Sequence, residues 1–299
     1  MNIDLLEQRA ALVATAQRFA EREIAPHVTA WDEAGEFPRA LYGRAAALGL
    51  LGLGYPEELG GTPAPWLLRL ALAQAMAHHG ASGGVLAGLF SHNIGLPPIL
   101  ALGTPELQQR VISPVLRGEK IAALAVTEPG GGSDVARIRT TAVRDGDHYR
   151  ITGEKVFITS GVRADFLSVA VRTGEAGARG LSMIVVPGDA PGLRRQPLAK
   201  MGWWCSDTAQ IHFDDVRVPV ANRVGDGLEA ALELATHEVI HRVVDLGAVQ
   251  RDRRDAVAEL VADRLVGHPL STPRRATAWP GRVRAWGVWG PFRGPQEDR

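Results

Sequence analysis

The sequence predicts an α+β protein: an all-α helical domain over residues 1–118, a β-barrel domain over 119–223, and an incomplete helical region with an irregular tail over 224–299. Three observations carry this reading. Up to Gly118, apolar residues recur at spacings of three and four, the period of half-buried helices. After Gly118 the period becomes two, in short runs separated by Gly, Pro and Asp clusters, as in small barrels and sandwiches. Beyond Val266 the helical period fades, and Pro and Gly recur from Pro269 to Pro295.

Asp4 can cap a first helix whose apolar stripe is Leu6, Ala10, Val13, Ala16, Ala20 and Ile24, with Pro26 ending it. Pro38 opens a second helix (Leu41, Ala45, Leu48) closed by Gly49, and Gly52 to Gly61 reads as a loop. Helical segments follow from Pro65 to His79 and from Ser82 to Leu102. The latter is nearly uncharged, which predicts one helix buried on most sides. Thr104 as cap, Pro105 in the first turn and Glu106 against the positive helix end start another helix, stopping at Gly118. His78, His79 and His92 fall in these helices as packing or surface residues. Thr141 to Arg144 and His148 to Thr152 flank Asp145-Gly146, a strong hairpin signal. Phe166 to Arg172, Leu181 to Val186 and Gln210 to Phe213 are further strands.

The 299 residues, 45% of them apolar, suffice for a buried core, and the formal net charge of zero gives no electrostatic footprint for nucleic acid. Cys205 is the only cysteine, so no intrachain disulfide forms and a reducing compartment is expected. The N-terminus lacks the pattern of a secretory signal, and no run approaches the roughly 18 apolar residues of a membrane span. These features predict a cytoplasmic protein.

The chemistry concentrates in Leu124 to Thr141. An apolar run, Ile121 to Val126, enters a turn of Pro129 and three glycines, Gly130 to Gly132, with Thr127 and Ser133 at its rims. Outward-facing backbone N–H groups and two hydroxyls there can hold a phosphate or a polar heterocycle. A plain glycine-rich surface turn is the alternative. The dinucleotide fingerprint fails because Val135 stands at the third position after Gly132, and none of Lys120, Lys155 and Lys200 follows a glycine as a phosphate loop requires.

A second segment, Gly153-Glu154-Lys155-Val156-Phe157-Ile158-Thr159-Ser160-Gly161, follows at the end of the next β-like run. Together the two resemble the flavin-binding segments of the acyl-CoA dehydrogenase family. Pro56 to Gly61, Gly118 to Ile121, and Met201 to Thr208 leading into Phe213 to Pro219 add to the resemblance, which runs to about residue 238 and fades from about 240. It implies FAD as cofactor, with backbone and hydroxyl contacts from Leu124, Val126, Thr127, Gly132 and Ser133. Ser133 would also touch the acyl-CoA. Phe157 would lie against the flavin ring where the family often has Trp, the Thr159 hydroxyl would sit near its reactive nitrogen, and Ile158 between them belongs to the same cofactor-binding segment.

The implied reaction is α,β-desaturation of an acyl thioester, on CoA or a carrier protein. Electron-transfer flavoprotein is the implied acceptor, and homo- or hetero-oligomers are possible. The base is a carboxylate, and Glu238 stands where a minority of the family place it. The family usually has Arg next, where this chain has Val239. The fading C-terminal resemblance leaves a catalytically idle homologue, acting at most as a partner subunit, as an alternative. A second alternative is zinc peptidase chemistry, because His237-Glu238-Val239-Ile240-His241 is a formal His-Glu-x-x-His. Its third ligand would be Glu259, with Asp263 one turn on, but the spacer is shorter than in the gluzincins it resembles. One residue of slippage turns a helical side chain by about 100°.

Overall fold

The computed structural model describes residues 3–225. Helix α1 (Ile3–Phe19) contains Asp4 within its first turn, so that residue is not a cap preceding the helix. A π-turn (Ala20–Ile24) extends it, and Ala16, Phe19, Ala20 and Ile24 are fully buried. After Pro26 comes a helix the sequence did not announce, α2 (Val28–Ala34), ending at Gly35 in the left-handed region. Helix α3 (Ala40–Ala47) buries Leu41, Tyr42 and Ala45, and α4 (Trp66–His78) buries Leu68, Ala71, Leu72, Ala75 and Met76. These stripes meet in one core with Phe37, Leu50, Val85 and Leu89.

The single buried helix expected over Ser82 to Leu102 is three short ones: α5 (Gly83–Leu89), α6 (His92–Gly95) and α7 (Pro97–Leu102). Pro97 and Pro98 supply no N–H to a preceding turn, so a continuous ladder cannot cross them. The uniform apolarity does report burial for Val85, Leu89, Leu96 and Ile99, all inaccessible, but Ile94 on the four-residue α6 is 54% exposed. Helix α8 (Pro105–Leu116) is capped as expected, the Leu107 N–H donating to Thr104 Oγ1 at 3.3 Å. It ends at Gly118 (φ +71°), where a Cβ would stand 2.4 Å from the Tyr42 carbonyl oxygen.

The strands are β1 (Ala122–Ala125), β2 (Thr141–Asp145), β3 (His148–Thr159), β4 (Phe166–Arg172), β5 (Leu181–Pro187), β6 (Leu193–Pro197), β7 (Thr208–Pro219) and β8 (Arg223–Val224). The hairpin is where the sequence placed it, with Asp145 opposite His148. The closed barrel is not. The strands form one mixed sheet in the order β6-β7-β3-β2-β4-β5-β8, with β1 added in parallel to β4, and the terminal strands β6 and β8 do not pair. Strand spacing reports how many strands form. Closure depends on tilt and stagger between strands distant in sequence. Here β2 meets β4 at one residue pair, Thr141 and Arg172.

The helices are fastened to the sheet by hydroxyls on carbonyls that helix and strand ends leave over. Ser91 Oγ donates to the Ala122 carbonyl (3.1 Å), Ser168 Oγ to that of Gly95 (2.7 Å), and Ser160 Oγ to Ser91 Oγ (3.0 Å). Arg163 adds a charged tie, bonding Asp207 at 2.9 Å and the Phe37 carbonyl at 2.7 Å. Among the described residues no single helix is long and apolar enough to cross a membrane.

His92 is a core residue, 2% exposed, its Nε2 within 2.9 Å of the Leu51 carbonyl oxygen. Burial pushes its pKa down to about 4, the Leu51 carbonyl only partly opposing. A group whose pKa is depressed by folding contributes stability that is present above its unfolded pKa, here about 6.5, and lost as the pH falls toward the folded value. Unfolding free energy by urea titration should therefore drop by about 3 kcal/mol between about pH 6.5 and 4 from this residue. An NMR titration in which the His92 imidazole protonates near its ordinary pKa contradicts this.

Candidate functional site

Strand β1 ends at Ala125, and the chain then crosses the line of β3 instead of turning back on itself. The Val156 N–H donates to the Thr127 carbonyl at 2.9 Å, so the two segments singled out in the sequence lie side by side. Lys155, 0% exposed, reinforces the contact: its Nζ donates to the Val126 carbonyl (3.0 Å) and to Glu128 Oε1 (2.9 Å). Glu128 also accepts from the Arg139 N–H (2.8 Å), the Thr140 N–H (2.9 Å) and Thr140 Oγ1 (2.6 Å). Burial alone would raise the Glu128 pKa, but these donors outweigh it and take it down to about 2. Desolvation brings Lys155 down to about 8 against the opposing pull of Glu128. The two shifts lean opposite ways on the pair. The carboxylate is the firmer anchor, because most of its donors are independent of the lysine.

Between these anchors the chain closes a tight turn, Glu128 and Gly131 exchanging both backbone hydrogen bonds at 3.0 Å. Gly130, Gly131, Gly132 and Ser133 are exposed, and a Cβ at Gly130 or Gly131 would meet nothing within 4 Å. The N–H groups of Gly130, Gly132 and Ser133, and the hydroxyls of Thr127, Ser133 and Thr159, bond to no described protein group. A cleft of about 330 Å³ runs along the turn, bordered by Val126, Gly132, Arg137, Arg139, Gly153 and Glu154 among others. Thr127, Ser133, Phe157, Ile158 and Thr159 lie outside its lining.

Strand β3 breaks register with β7 between Lys155 and Ile158, and this bulge orients the second segment. Phe157 stands in it at φ +60° with 69% of its surface exposed. A bulky side chain in the left-handed region costs about 1–3 kcal/mol, and here the strain accompanies an aromatic face held toward solvent. Ile158 returns to the ladder opposite Ala209 and is buried in the sheet core, so only its backbone can meet a ligand. Leu124 likewise packs against the core between helices and sheet. Thr159 is three residues beyond Val156, within about 10 Å along the strand.

The set fits a flavin. Unpartnered N–H donors and hydroxyls suit its polar edge and phosphates, and the strained exposed aromatic suits its ring. Glu238, His237, His241, Glu259 and Asp263 lie outside the described residues, as does the C-terminal helical region. Among the described residues no three His, Cys, Asp or Glu side chains are grouped to hold a metal.

Sequence reasoning gave no role to Glu128, Thr140, Gly153 and Lys155. The available signal was alternation: Lys155 falls in register with buried Ile151 on β3, and a lysine on an inward face demands a partner. At Gly153 (φ +148°) a Cβ would lie 2.6 Å from Thr140 Cα. Gly153→Ala should therefore lower unfolding free energy by about 2 kcal/mol in urea titrations. Gly130→Ala, made into open space, should change it by less than about 0.5 kcal/mol.

The family model for the acyl-CoA dehydrogenase N-terminal domain matches residues 7–119, and that for the acyl-CoA dehydrogenase middle domain matches 123–216. Benzylmalonyl-CoA dehydrogenase of Aromatoleum aromaticum is 34% identical over 278 residues, covering 91% of this chain and 73% of the relative. That alignment runs past residue 240, but the family models end at 216 and the further relatives cover 74–76% of this chain, in keeping with a likeness that weakens toward the C-terminus. A crystal structure of an acyl-CoA dehydrogenase from Mycobacterium smegmatis is 50% identical with TM-score 0.75, over 77% of this chain and 61% of that one. A chain in a structure of the electron transferring flavoprotein of Acidaminococcus fermentans is 32% identical with TM-score 0.71, over 76% of this chain and 60% of that one. The chain spans 54–60% of the length of several further curated relatives.

Proposed function

The chain belongs to the acyl-CoA dehydrogenase family, and on that premise we propose that it binds FAD on the paired segments 124–133 and 157–159 and desaturates an acyl thioester between its α and β carbons. The observation that carries this reading is the Val156 to Thr127 hydrogen bond. It joins the two segments that the family resemblance assigns to one ligand. Gly132, Ser133 and Thr127 would hold the polar edge of the cofactor through N–H and hydroxyl groups. Phe157 would lie against its ring, and the backbones of Leu124, Val126 and Ile158 and the Thr159 hydroxyl would complete the contacts. Bound there, a flavin supplies the acceptor for the hydride leaving the β carbon.

This chain's own part is to orient the acyl chain, polarise its carbonyl and remove the α proton. Ser133, exposed at the rim, would touch the thioester substrate. Glu238 is proposed as the base that takes the proton. Electron-transfer flavoprotein is the proposed acceptor, supported by the similar chain in a structure of that protein from Acidaminococcus fermentans. A catalytically idle partner subunit is the second reading, favoured by Val239 where the family usually carries Arg.

Two measurements test the proposal. FAD should raise the melting temperature by mass action, and Zn²⁺ should leave it unchanged. Stoichiometric zinc, lost in His241→Ala, would instead favour the peptidase reading. With FAD bound, addition of an acyl-CoA from a chain-length panel should bleach the flavin absorbance. Glu238→Gln should abolish the bleaching while leaving FAD affinity within about twofold, because only proton abstraction loses its carboxylate. Bleaching at the wild-type rate in the variant would show that the base is another residue.

A further inference from the structure

Lys155 is fully buried, and Glu128, although it borders the cleft, spends its carboxylate on protein donors; together they hold many of the polar bonds around the glycine turn. Lys155 Nζ reaches the Val126 carbonyl and the Glu128 carboxylate, which flank Thr127, while the adjacent Val156 N–H holds the Thr127 carbonyl. Three consecutive residues of one segment are thus bonded to two consecutive residues of the other. On its far side the same carboxylate holds the N–H groups of Arg139 and Thr140 and the Thr140 hydroxyl. Both ends of the stretch 129–138 therefore converge on one side chain. Its tip has no comparable support, since Gly130 to Ser133 are exposed and a Cβ at Gly130 or Gly131 would find open space.

A buried ion pair is a weak device for stability, because desolvating both charges offsets most of their attraction and an apolar pair of the same size would serve as well. Its distinctive property is directional. A carboxylate accepting from four groups fixes where those groups stand relative to one another. We propose that Glu128 and Lys155 are positioning residues: the pair clamps the two ends of the glycine-rich turn so that its free N–H groups are presented in one arrangement, and so sets the affinity for the flavin. The flavin half of this statement rests on the reading given under Proposed function. The clamping half rests on the hydrogen bonds alone.

The full-length protein is compared with Lys155→Met, Lys155→Arg and the uncharged double variant Glu128→Gln/Lys155→Met. Three quantities are read: the urea midpoint, the FAD Kd by quenching of flavin fluorescence, and hydrogen exchange at the Gly131 and Val156 amides. Lys155→Met should lower the midpoint, because it leaves a largely covered carboxylate without its counter-charge, on its three remaining donors alone. The double variant should recover most of the midpoint, since no buried charge is left unpaired. It should nonetheless bind FAD about tenfold or more weakly and exchange faster at Gly131 and Val156, since one amide oxygen cannot hold every donor that the carboxylate holds. Lys155→Arg, keeping the charge, should restore part of the FAD affinity. If FAD affinity recovers with the midpoint in the double variant, the pair is only structural and the proposal fails. If the wild type binds no FAD, the flavin reading falls, and the exchange rates alone then decide whether the pair clamps the turn: unchanged rates overturn it.

Discussion

An ammonium group with no exposed surface must be neutralised where it stands, and Lys155 imposes that requirement on the middle of the sheet. The carboxylate that meets it belongs to Glu128, at the end of a different segment, and the same carboxylate collects the backbone of Arg139 and Thr140. One ion pair thereby ties the exit of β1 and both ends of the glycine turn to β3, beside the β1–β4 and β2–β3 ladders. The cost of stranding either charge keeps the arrangement from drifting, although the pair itself adds little net stability.

A second constraint acts on the same strand from the helical side. Ser160, in the left-handed region at φ +59° and fully buried, bonds Ser91, while its N–H donates to the Asp207 carbonyl at 2.8 Å. Arg163 then joins Asp207 to Phe37 and lies 4.7 Å over the Phe37 ring. The segment Phe157 to Thr159 is therefore held at both ends, by Lys155 on one side and by Ser160 and Arg163 on the other. Such over-determination is what allows a phenylalanine to persist at positive φ with its ring exposed.

The same physics explains which parts of the architecture could be read from residue order. Helix faces were legible in part because burial in one stripe leaves a period of three and four: Ala16, Ala20, Ile24, Leu41 and Ala45 are buried as that period requires. Leu6 and Ala10 in the first half of α1, and Leu48 at the end of α3, belong to the same expected stripes but are exposed, on stretches that no other described element covers. The cap at Thr104 and the Asp145-Gly146 hairpin are local too, involving groups three residues apart. Apolarity over Ser82 to Leu102 reports burial but not continuity: the chain breaks into three helices, once at Phe90-Ser91 and once ahead of Pro97 and Pro98. The barrel expectation failed because strand number is local information while closure is not.

By itself the sequence determined the helix-then-strand order, the two candidate segments and the residue types they offer: glycines for bare N–H groups, hydroxyls at the rims, an aromatic on the second segment. Motif order along the chain carried these because each depends on neighbours within a few residues. Tertiary structure alone decided that the segments touch through Val156 and Thr127, that Ile158 faces the core while Phe157 faces out, and that Glu128 and Lys155 are paired. Those facts depend on register. The bulge between Lys155 and Ile158 inverts the alternation that a regular strand would show, and it exists only because β7 lies alongside.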